Sequence, residues 1–282
     1  MTGLAPAAIA DLFLGACRAE LRALKPGNVH VHAEGHGMTV ADFLASAEAA
    51  TPRIAGPNLT VGGRVLAAVE ATRAICGQNT NLGILLLCAP LAAAAQAGGN
   101  LRVSIRRTLT ELDCEDAVLA YRAIRIASPG GLGRSDQHDV SEEPRVTLLE
   151  AMRAAAGRDR IARQYVNGFS DVFEIGVDRL LAYRAAGWAE DCAVTGSFVA
   201  LLAAFPDTHV VRKHGFAVAE EVRERALALD RRIRAGTAPA RLMVELLDLD
   251  RDLKRLGINP GTSADLTVAG HFACGLLGPI AT

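Results

Sequence analysis

Four short polar motifs stand beside long apolar stretches of this sequence, and they hold the residue types that bind phosphates and metal ions. In chain order they are KPGNVH at Lys25–His30, QNTNLG at Gln78–Gly83, DTHVVRKHG at Asp207–Gly215 and NPGTSADL at Asn259–Leu266. Each combines Gly or Pro, which set backbone geometry at turns, with amide, acidic or basic side chains. We interpret the four motifs as parts of one composite site.

The fourth motif carries a single carboxylate, Asp265, in an otherwise uncharged segment. Its Pro-Gly pair predicts a tight turn, after which Thr262 or Ser263 caps a helix that holds Asp265 in its first turn. The free N–H groups at such a helix start, Gly261 included, suit a phosphate or an ionised carboxylate. The alternative reading is a well-capped structural helix.

The side chains of the motifs suit a phosphorylated substrate. Asp207 and Asp265 are hard oxygen donors of the kind that Mg²⁺ uses together with water and substrate phosphates. Lys25, Arg212 and Lys213 are candidate contacts for further phosphate oxygens. Amides that suit a ribose hydroxyl or a base edge occur at Asn28, Asn79 and Asn81. Taken singly, each of these residues is equally compatible with a helix cap or a surface charge.

Two further groups of polar residues have less definite readings. His30 and His32, with His36 nearby, are compatible with a transition-metal site, but structural or solvent-facing histidines explain them as well. The loop at 129–144 is either a mobile lid or metal-binding turn, or an ordinary solvated loop. Its acidic and histidine residues are Asp136, His138 and Asp139.

Composition excludes several classes of protein. Thirty basic and 31 acidic residues give a net charge of −1, which argues against nucleic-acid binding through a general basic field. The six cysteines form no C-x-x-C pair and mostly have apolar neighbours, so we expect reduced thiols and a cytoplasmic protein. The uncharged stretch between Arg73 and Arg102 is interrupted by polar residues, which favours a buried core helix over a membrane span. There is no P-loop, dinucleotide fingerprint or H-E-x-x-H motif.

Helical spacing of apolar residues extends along nearly the whole chain, and strand patterns are almost absent. We therefore predict an all-α fold, with residues 1–282 forming a single compact multi-helix domain and the polar motifs at helix ends. The first helix should stop at Lys25-Pro26-Gly27, and a leucine stripe predicts a helix between Pro239 and Gly257. A short separate segment is expected at Val103–Ile105.

The four motifs together resemble the triphosphoribosyl-dephospho-CoA synthase family. The resemblance lies in Lys-Pro-Gly from Lys25, Asn79-Thr80 with Gly83, Asp207-Thr208 with Lys213 and Gly215, and Pro260-Gly261 with Ser263 to Leu266. It covers nearly the whole chain, in order. It implies an all-helical, Mg²⁺-dependent enzyme that transfers the triphosphoribosyl group of ATP to the 2′-hydroxyl of dephospho-CoA and releases adenine. The product is a precursor of the prosthetic group of an acyl carrier protein.

The resemblance also suggests roles for individual residues. Such a glycosyl transfer passes through an oxocarbenium-like state and needs a base for the hydroxyl, a proton or hydrogen bond for adenine, and firm anchoring of the triphosphate. We assign Asp265, Asp207 and His30 as catalytic candidates, with Asp207 and Asp265 as Mg²⁺ ligands or base. Candidate nucleotide and phosphate contacts are Lys25, Gly27, Asn28, Asn79, Thr80, Asn81, Gly83, His209, Arg212, Lys213, Gly215, Gly261, Thr262 and Ser263.

The sequence departs from the family pattern in all four motifs. His30 stands where the first motif usually has an acid, and Asn81-Leu82 stands where the second usually continues with His-Lys. The third usually has Asn and Arg where this chain has His209 and Lys213, and the fourth a second Gly at Thr262. Two alternatives therefore stay open: a ribosyl or phosphoribosyl transferase acting on another acceptor in one-carbon cofactor synthesis, and a non-catalytic ATP-binding regulatory protein. A homodimer is compatible with the resemblance, and no membrane partner is expected.

Overall fold

The all-α prediction is confirmed. The structure is a computed structural model that describes residues 2–35, 37–130, 133–135 and 137–278. Within these ranges the backbone forms helices joined by loops, and β-type pairing is limited to the isolated bridges His30–Ala33 and Gly35–Met38. The chain divides into two compact units. The single domain expected for residues 1–282 stays a prediction.

The first unit contains the described residues of Met1–Gly15, Asp42–Phe169 and Gly275–Thr282. Its helices are α1 (Pro6–Arg22, whose last turns belong to the second unit), α2 (Val40–Ile54), α3 (Val61–Cys76), α4 (Leu82–Ala97), α5 (Leu101–Thr110), α6 (Cys114–Ala127), α7 (Leu148–Ala155) and α8 (Arg160–Asn167). The expected segment at Val103–Ile105 is wrong as a separate element, because it lies inside α5. The Asn100 side chain accepts a hydrogen bond from the Val103 amide and so starts this helix earlier.

The second unit contains Ala16–Ala41 and Ser170–Cys274, less the undescribed His36. A π-helical segment at Val172–Val177 runs directly into α9 (Asp178–Ala185). It is followed by α10 (Glu190–Ala204), α11 (Thr208–His214), α12 (Phe216–Arg234), a 3₁₀ turn (Pro239–Leu242), α13 (Met243–Arg255) and α14 (Gly261–Leu277). The leucine stripe thus forms a 3₁₀ turn and a helix between Pro239 and Gly257, as its pattern predicted.

One nearly uncharged helix is buried in each unit. In α4, Leu85, Leu87 and Cys88 are fully buried, and the predicted core helix is confirmed. In α10 the residues from Ala193 to Ala203 are buried without a break. A helix that is apolar on every side has its lowest free energy when other helices surround it and keep it from water. This explains why α4 and α10 are buried.

In the part of the chain that the structure describes, no single helix is long and apolar enough to cross a bilayer. Two pairs of consecutive helices, α4 with α5 and α10 with α11, are together long and apolar enough to cross a bilayer by length and composition only. These pairs are bent by 112° and 55°. All six cysteines are free, and Cys17, Cys88 and Cys274 are buried.

Helices α3 and α6 of the first unit meet at a glycine. The Gly62 amide donates to the Asp116 carboxylate at 2.7 Å. A Cβ atom at Gly62 would lie 2.5 Å from the Asp116 carbonyl oxygen and 2.7 Å from its Cα. Because these are backbone atoms, they cannot rotate away, so only glycine permits this approach.

We therefore expect Gly62→Ala to lower the free energy of unfolding by about 1–3 kcal/mol, since the helices must separate to admit the methyl group. Gly63→Ala is the matched control, because a Cβ there would approach no atom closer than 3.3 Å. That variant should leave stability unchanged or raise it by up to about 1 kcal/mol, the helix-propensity gain of Ala over Gly. Urea denaturation of both variants measures the difference, and equal midpoints would contradict the close crossing.

Candidate functional site

Three of the four motifs come together in the second unit, around the first turns of α14. The first motif follows α1, the third forms α11 with its flanking residues, and the fourth leads into α14. The second motif belongs to the first unit, and it is described separately below. The start of α14 is therefore the place where the first, third and fourth motifs meet.

Asp207 joins the N-termini of two helices. One carboxylate oxygen, Oδ1, accepts from the amides of His209 and Val210 at 2.9 and 3.2 Å and so caps its own helix α11. The other oxygen, Oδ2, accepts from the amide and the hydroxyl of Ser263 in α14 at 2.7 and 2.8 Å. Burial raises the pKa of Asp207, and these four hydrogen bonds oppose that rise.

This arrangement corrects the expected cap of α14. The helix begins at Gly261, so Thr262 and Ser263 lie inside its first turn and neither is the N-cap residue. Asp207 supplies the acceptor from another helix instead. Sequence patterns predict capping by a preceding neighbour, whereas here the capping group lies 56 positions away.

Two further contacts hold α11 against α14. The hydroxyls of Thr208 and Thr262 are 3.1 Å apart, and the His209 amide also lies 3.1 Å from the Thr262 hydroxyl oxygen. A Cβ atom at Gly261 would lie 2.3 Å from Nδ1 of His209, so this imidazole sits directly against the glycine backbone. His209, Gly261, Thr262 and Ser263, all predicted nucleotide contacts, are thus brought together.

Lys25 of the first motif is fully buried and its ammonium group is surrounded by acceptors. Its Nζ donates to the Glu20 carboxylate, to Oδ1 of Asn28 at 2.9 Å and to the Val29 carbonyl at 2.7 Å. Burial lowers the pKa of Lys25 and raises that of Glu20, and each charge opposes the shift of the other. A lysine ammonium has three N–H donors. Internal acceptors engage all three, so this geometry favours a positioning role for Lys25 over direct phosphate contact.

His30 is also fully buried, and both of its ring nitrogens are engaged. Nδ1 accepts from the His32 amide at 3.2 Å, while Nε2 lies 3.2 Å from Oδ1 of Asp250 in α13. The accepting Nδ1 is unprotonated, so we assign the proton to Nε2, which donates to Asp250. Burial lowers the pKa of His30 and keeps the ring neutral. Neither nitrogen faces an open position from which it could remove a substrate proton.

The first motif packs directly on the residues that precede α14. Gly27 has a φ of +82°, and a Cβ there would lie within 2.9 Å of Pro260 and Ile258 atoms. The Asn28 side-chain amide donates to Oδ1 of Asn259 at 2.8 Å. Gly27 therefore serves backbone geometry, and the turn of the first motif fixes where the fourth motif starts.

Asp265 differs from Asp207 in being partly exposed. It is the fifth residue of α14, and it lies close enough to Lys25 to raise the pKa of that lysine. In the third motif Arg212 is half-buried and Lys213 is exposed, while Gly215, with a φ of +89°, separates α11 from α12. Asp265 is thus the carboxylate of the four motifs that is both held by a rigid helix and reachable from solvent.

The second motif forms the start of α4 in the first unit. Oδ1 of Asn79 accepts from the Leu82 amide at 3.1 Å, and the Asn81 amide donates to Thr72 at 3.3 Å. The Thr80 hydroxyl donates to Ser46 of α2 at 2.6 Å, and Gly83 lies in the first turn of α4. Asn79, Thr80 and Asn81 thus stabilise the turn before α4, and their nucleotide contacts stay predictions.

The residues predicted to bind Mg²⁺ are Asp207 and Asp265. Among the residues described, no group of three or more His, Cys, Asp and Glu side chains is arranged to hold a metal ion. A carboxylate has about four lone-pair sites, and in Asp207 four donors occupy them. Asp207 therefore does not fit the role of a Mg²⁺ ligand without breaking its helix caps. The two-aspartate Mg²⁺ site stays a prediction, and no step below depends on it.

The other candidates lie in loops. Asp139 accepts from the amides of Ser135 and Ser141 and from the Ser141 hydroxyl; this hydroxyl bond and then the amide bonds lower its pKa to about 2. Asp139 therefore organises its own loop, and the Tyr121 hydroxyl donates to the carbonyl of His138 at 2.7 Å. Asp136 and His36 lie outside the described residues, as do Gly131 and Leu132.

Several buried polar residues around the site were not predicted. Glu20 and Asp250 each stood in the sequence as an acid on the apolar face of a helix, which is a signal of internal pairing. Lys254, four residues after Asp250, pairs with it on α13 at 3.0 Å. Asn259 opened the fourth motif, yet nothing local indicated its partner Asn28.

Comparison with known proteins places the chain in a family. The family model for ATP:dephospho-CoA triphosphoribosyl transferase matches residues 6–280. A Pseudomonas putida protein described as a candidate 2-(5''-triphosphoribosyl)-3'-dephosphocoenzyme-A synthase is 31% identical over 134 residues. That match covers 48% of this chain and 47% of the relative, about half the length of each.

A solved structure gives a wider match. The crystal structure of an Archaeoglobus fulgidus protein, described as a candidate triphosphoribosyl-dephospho-CoA synthase, has a TM-score of 0.66 and 30% sequence identity. It covers 83% of this chain and 99% of its own chain. The resemblance inferred from the four motifs is confirmed. Because the family model matches nearly the whole sequence, this chain belongs to the ATP:dephospho-CoA triphosphoribosyl transferase family.

Proposed function

We propose that this protein transfers the triphosphoribosyl group of ATP to the 2′-hydroxyl of dephospho-CoA with release of adenine. The family match along the chain supports this reaction, and the partly exposed Asp265 on the fixed start of α14 is the observation that carries it. In the reaction the bond from C1′ of the ATP ribose to adenine breaks, and a bond from C1′ to the acceptor oxygen forms. The acceptor hydroxyl loses a proton, and adenine leaves with one.

Asp265 is the base in this proposal. A carboxylate on a rigid helix that solvent can reach is suited to take the proton of the acceptor hydroxyl, and its negative charge would stabilise the positive charge that develops at C1′. Asp207, Lys25 and His30 act differently: they are fully buried, and they hold the start of the helix that carries Asp265. If Mg²⁺ takes part, Asp265 would be its candidate protein ligand beside the ATP phosphates, and the ion would supply positive charge to the triphosphate.

The triphosphate is held by cations at the surface of the second unit. Lys213 is exposed and Arg212 is half-buried, and both lie in the last turn of α11, whose first turn Asp207 ties to α14. Lys25 is a weaker candidate because its donors are already engaged. The product, a triphosphoribosyl-dephospho-CoA, would serve as a prosthetic-group precursor for an acyl carrier protein.

The role of Asp265 as the base is tested with Asp265→Asn. Loss of the base should lower kcat for adenine release by about 10² to 10⁴-fold, while ATP affinity changes little. The assay incubates the protein with ATP, Mg²⁺ and dephospho-CoA and follows adenine and the adduct by chromatography with mass detection. Asp248→Asn, which alters an exposed ion pair with Arg251, is the control and should keep wild-type turnover.

Turnover of Asp265→Asn within about threefold of wild type would remove Asp265 from the chemistry. If adenine is released only with an acceptor other than dephospho-CoA, the protein is still a glycosyltransferase, but dephospho-CoA is not its acceptor. ATP binding without adenine release from any acceptor would instead indicate a regulatory nucleotide-binding protein.

A separate variant, Asp207→Asn, distinguishes capping from metal binding at Asp207. Asp207→Asn replaces one carboxylate oxygen by a donor that faces other donors, so stability should fall by about 2 kcal/mol or more. Asp159→Asn is the comparison, because Asp159 caps α8 with hydrogen bonds to Ile161 and Ala162. It should leave stability nearly unchanged, because Asn caps a helix about as well as Asp and one oxygen, Oδ1, accepts both bonds. If Asp207→Asn instead keeps wild-type stability in urea but needs more Mg²⁺ for turnover, Asp207 is a metal ligand after all.

A further inference from the structure

Helix α13 carries a buried acid that contacts the first motif. Asp250 lies on the same side of the helix as the buried residues Leu246, Leu249 and Leu253, which anchor α13 in its unit. Its Oδ1 accepts from the Gly27 amide at 2.8 Å and lies 3.2 Å from Nε2 of His30. One carboxylate oxygen thus contacts both ends of the turn from Gly27 to His30.

Lys254 balances the charge of Asp250 one turn further along α13. Its Nζ lies 3.0 Å from Oδ1 and 3.1 Å from Oδ2 of Asp250, and it also donates to the Ala33 carbonyl at 2.8 Å. Burial acts to raise the pKa of Asp250, but the bonds from His30, Gly27 and Lys254 outweigh it and lower that pKa. The acid is therefore ionised at neutral pH and accepts from all three donors.

The imidazole of His30 is fixed at both nitrogens. The His32 amide donates to Nδ1, so the proton sits on Nε2 and is donated to Asp250. Lys254 Nζ lies 3.4 Å from the same Nε2, and two donors cannot bond each other, so this is a contact only. Asp250 thereby selects one tautomer of His30 and one orientation of the ring.

The turn that Asp250 fixes bears on the start of α14. Gly27 touches Pro260, and Asn28 bonds to Asn259, the two residues that precede the helix of Asp265. A shift of the Gly27 amide by even half an ångström would move the Asn28 side chain and the Pro260 contact with it. Catalytic groups must be held within about 0.5 Å of their working geometry, so such a shift matters for turnover.

We propose that Asp250 is a positioning residue of this enzyme: from α13 it fixes the Gly27–His30 turn, and through Asn28 and Gly27 it sets the start of the helix that carries Asp265. This role rests on the proposed function only for its effect on turnover. The structural link itself, from Asp250 to His30 and to Asn259, is independent of the reaction catalysed.

The test is Asp250→Asn, which keeps the size of the side chain and one acceptor. If the amide oxygen takes the place of Oδ1, the NH₂ faces the Lys254 ammonium; if the NH₂ takes the place of Oδ1, it also faces the donors of Gly27 and His30. Because Lys254 contacts both oxygens of Asp250, neither arrangement satisfies every donor, and we expect the two to coexist. We expect the His30 imidazole ¹⁵N signals to change from a single Nε2–H tautomer to a mixture, and the backbone amides of Asn259 and Gly261 to shift. We expect kcat for adenine release to fall at least tenfold while the KM for ATP changes less than threefold, because Asp250 does not touch the substrate.

Asp248→Asn on the same helix is the matched control and should leave the imidazole signals, the α14 amides and turnover as in wild type. A wild-type His30 protonated on Nδ1, or unchanged α14 amides in Asp250→Asn, would overturn the proposal whatever the activity. Shifted amides with a kcat within twofold of wild type would also overturn it.

A wild-type protein that releases no adenine would refute the proposed function instead. The NMR signals would then still decide whether Asp250 fixes the start of α14. A general loss of structure is recognised by amide shifts throughout both units, and Asp250→Glu serves in that case. That variant keeps the charge but displaces it, and we expect it to retain the Nε2–H tautomer while losing at least tenfold in kcat.

Discussion

The start of α14 depends on one buried carboxylate. Asp207 accepts two hydrogen bonds from its own helix and two from Ser263, so a single side chain satisfies the free donors of two helix ends. Removal of this group from water is unfavourable, and only a full set of donors compensates for it. The requirement for these donors explains why the third motif must fold as a helix that begins at Thr208 and why Ser263 lies in the first turn of α14. The position of Asp265 follows from both.

The charges around this helix start are mostly engaged with one another. Glu20 pairs with Lys25, and Asp250 pairs with Lys254 and with the imidazole of His30. Removing one member of such a buried pair leaves an uncompensated charge, which costs more than the pair itself contributes. These residues therefore fix the turn of the first motif more than they attract a substrate. Asp265, by contrast, is partly exposed, and its contact with the nucleotide stays a proposal.

Local sequence signals predicted the elements well and the partners poorly. Lys25-Pro26-Gly27 marks the end of the first helix and Pro239 with Gly257 brackets the leucine stripe, because Pro and Gly act on their own backbone. The same signals placed the reactive residue types at helix ends. They could not show that Gly27 bonds to Asp250 or Asn28 to Asn259, since these pairs are 223 and 231 positions apart. Burial of Lys25 and His30 depends on such contacts, so it was not readable from the motif alone.

The departure at His30 is explained by the same contacts. The first motif of the family usually has an acid at this position, yet here Nε2 of residue 30 lies 3.2 Å from the carboxylate of Asp250. Two ionised acids so close together would repel each other, and one of them would have to take up a proton. A neutral imidazole instead donates a hydrogen bond to Asp250 and accepts one from the His32 amide, so every polar atom at this point has a partner. His30 and Asp250 therefore form a hydrogen-bonded pair in which the negative charge lies on α13 and the ring at the end of the first motif is neutral. This pair holds the turn from Gly27 to His30, on which the residues before α14 pack.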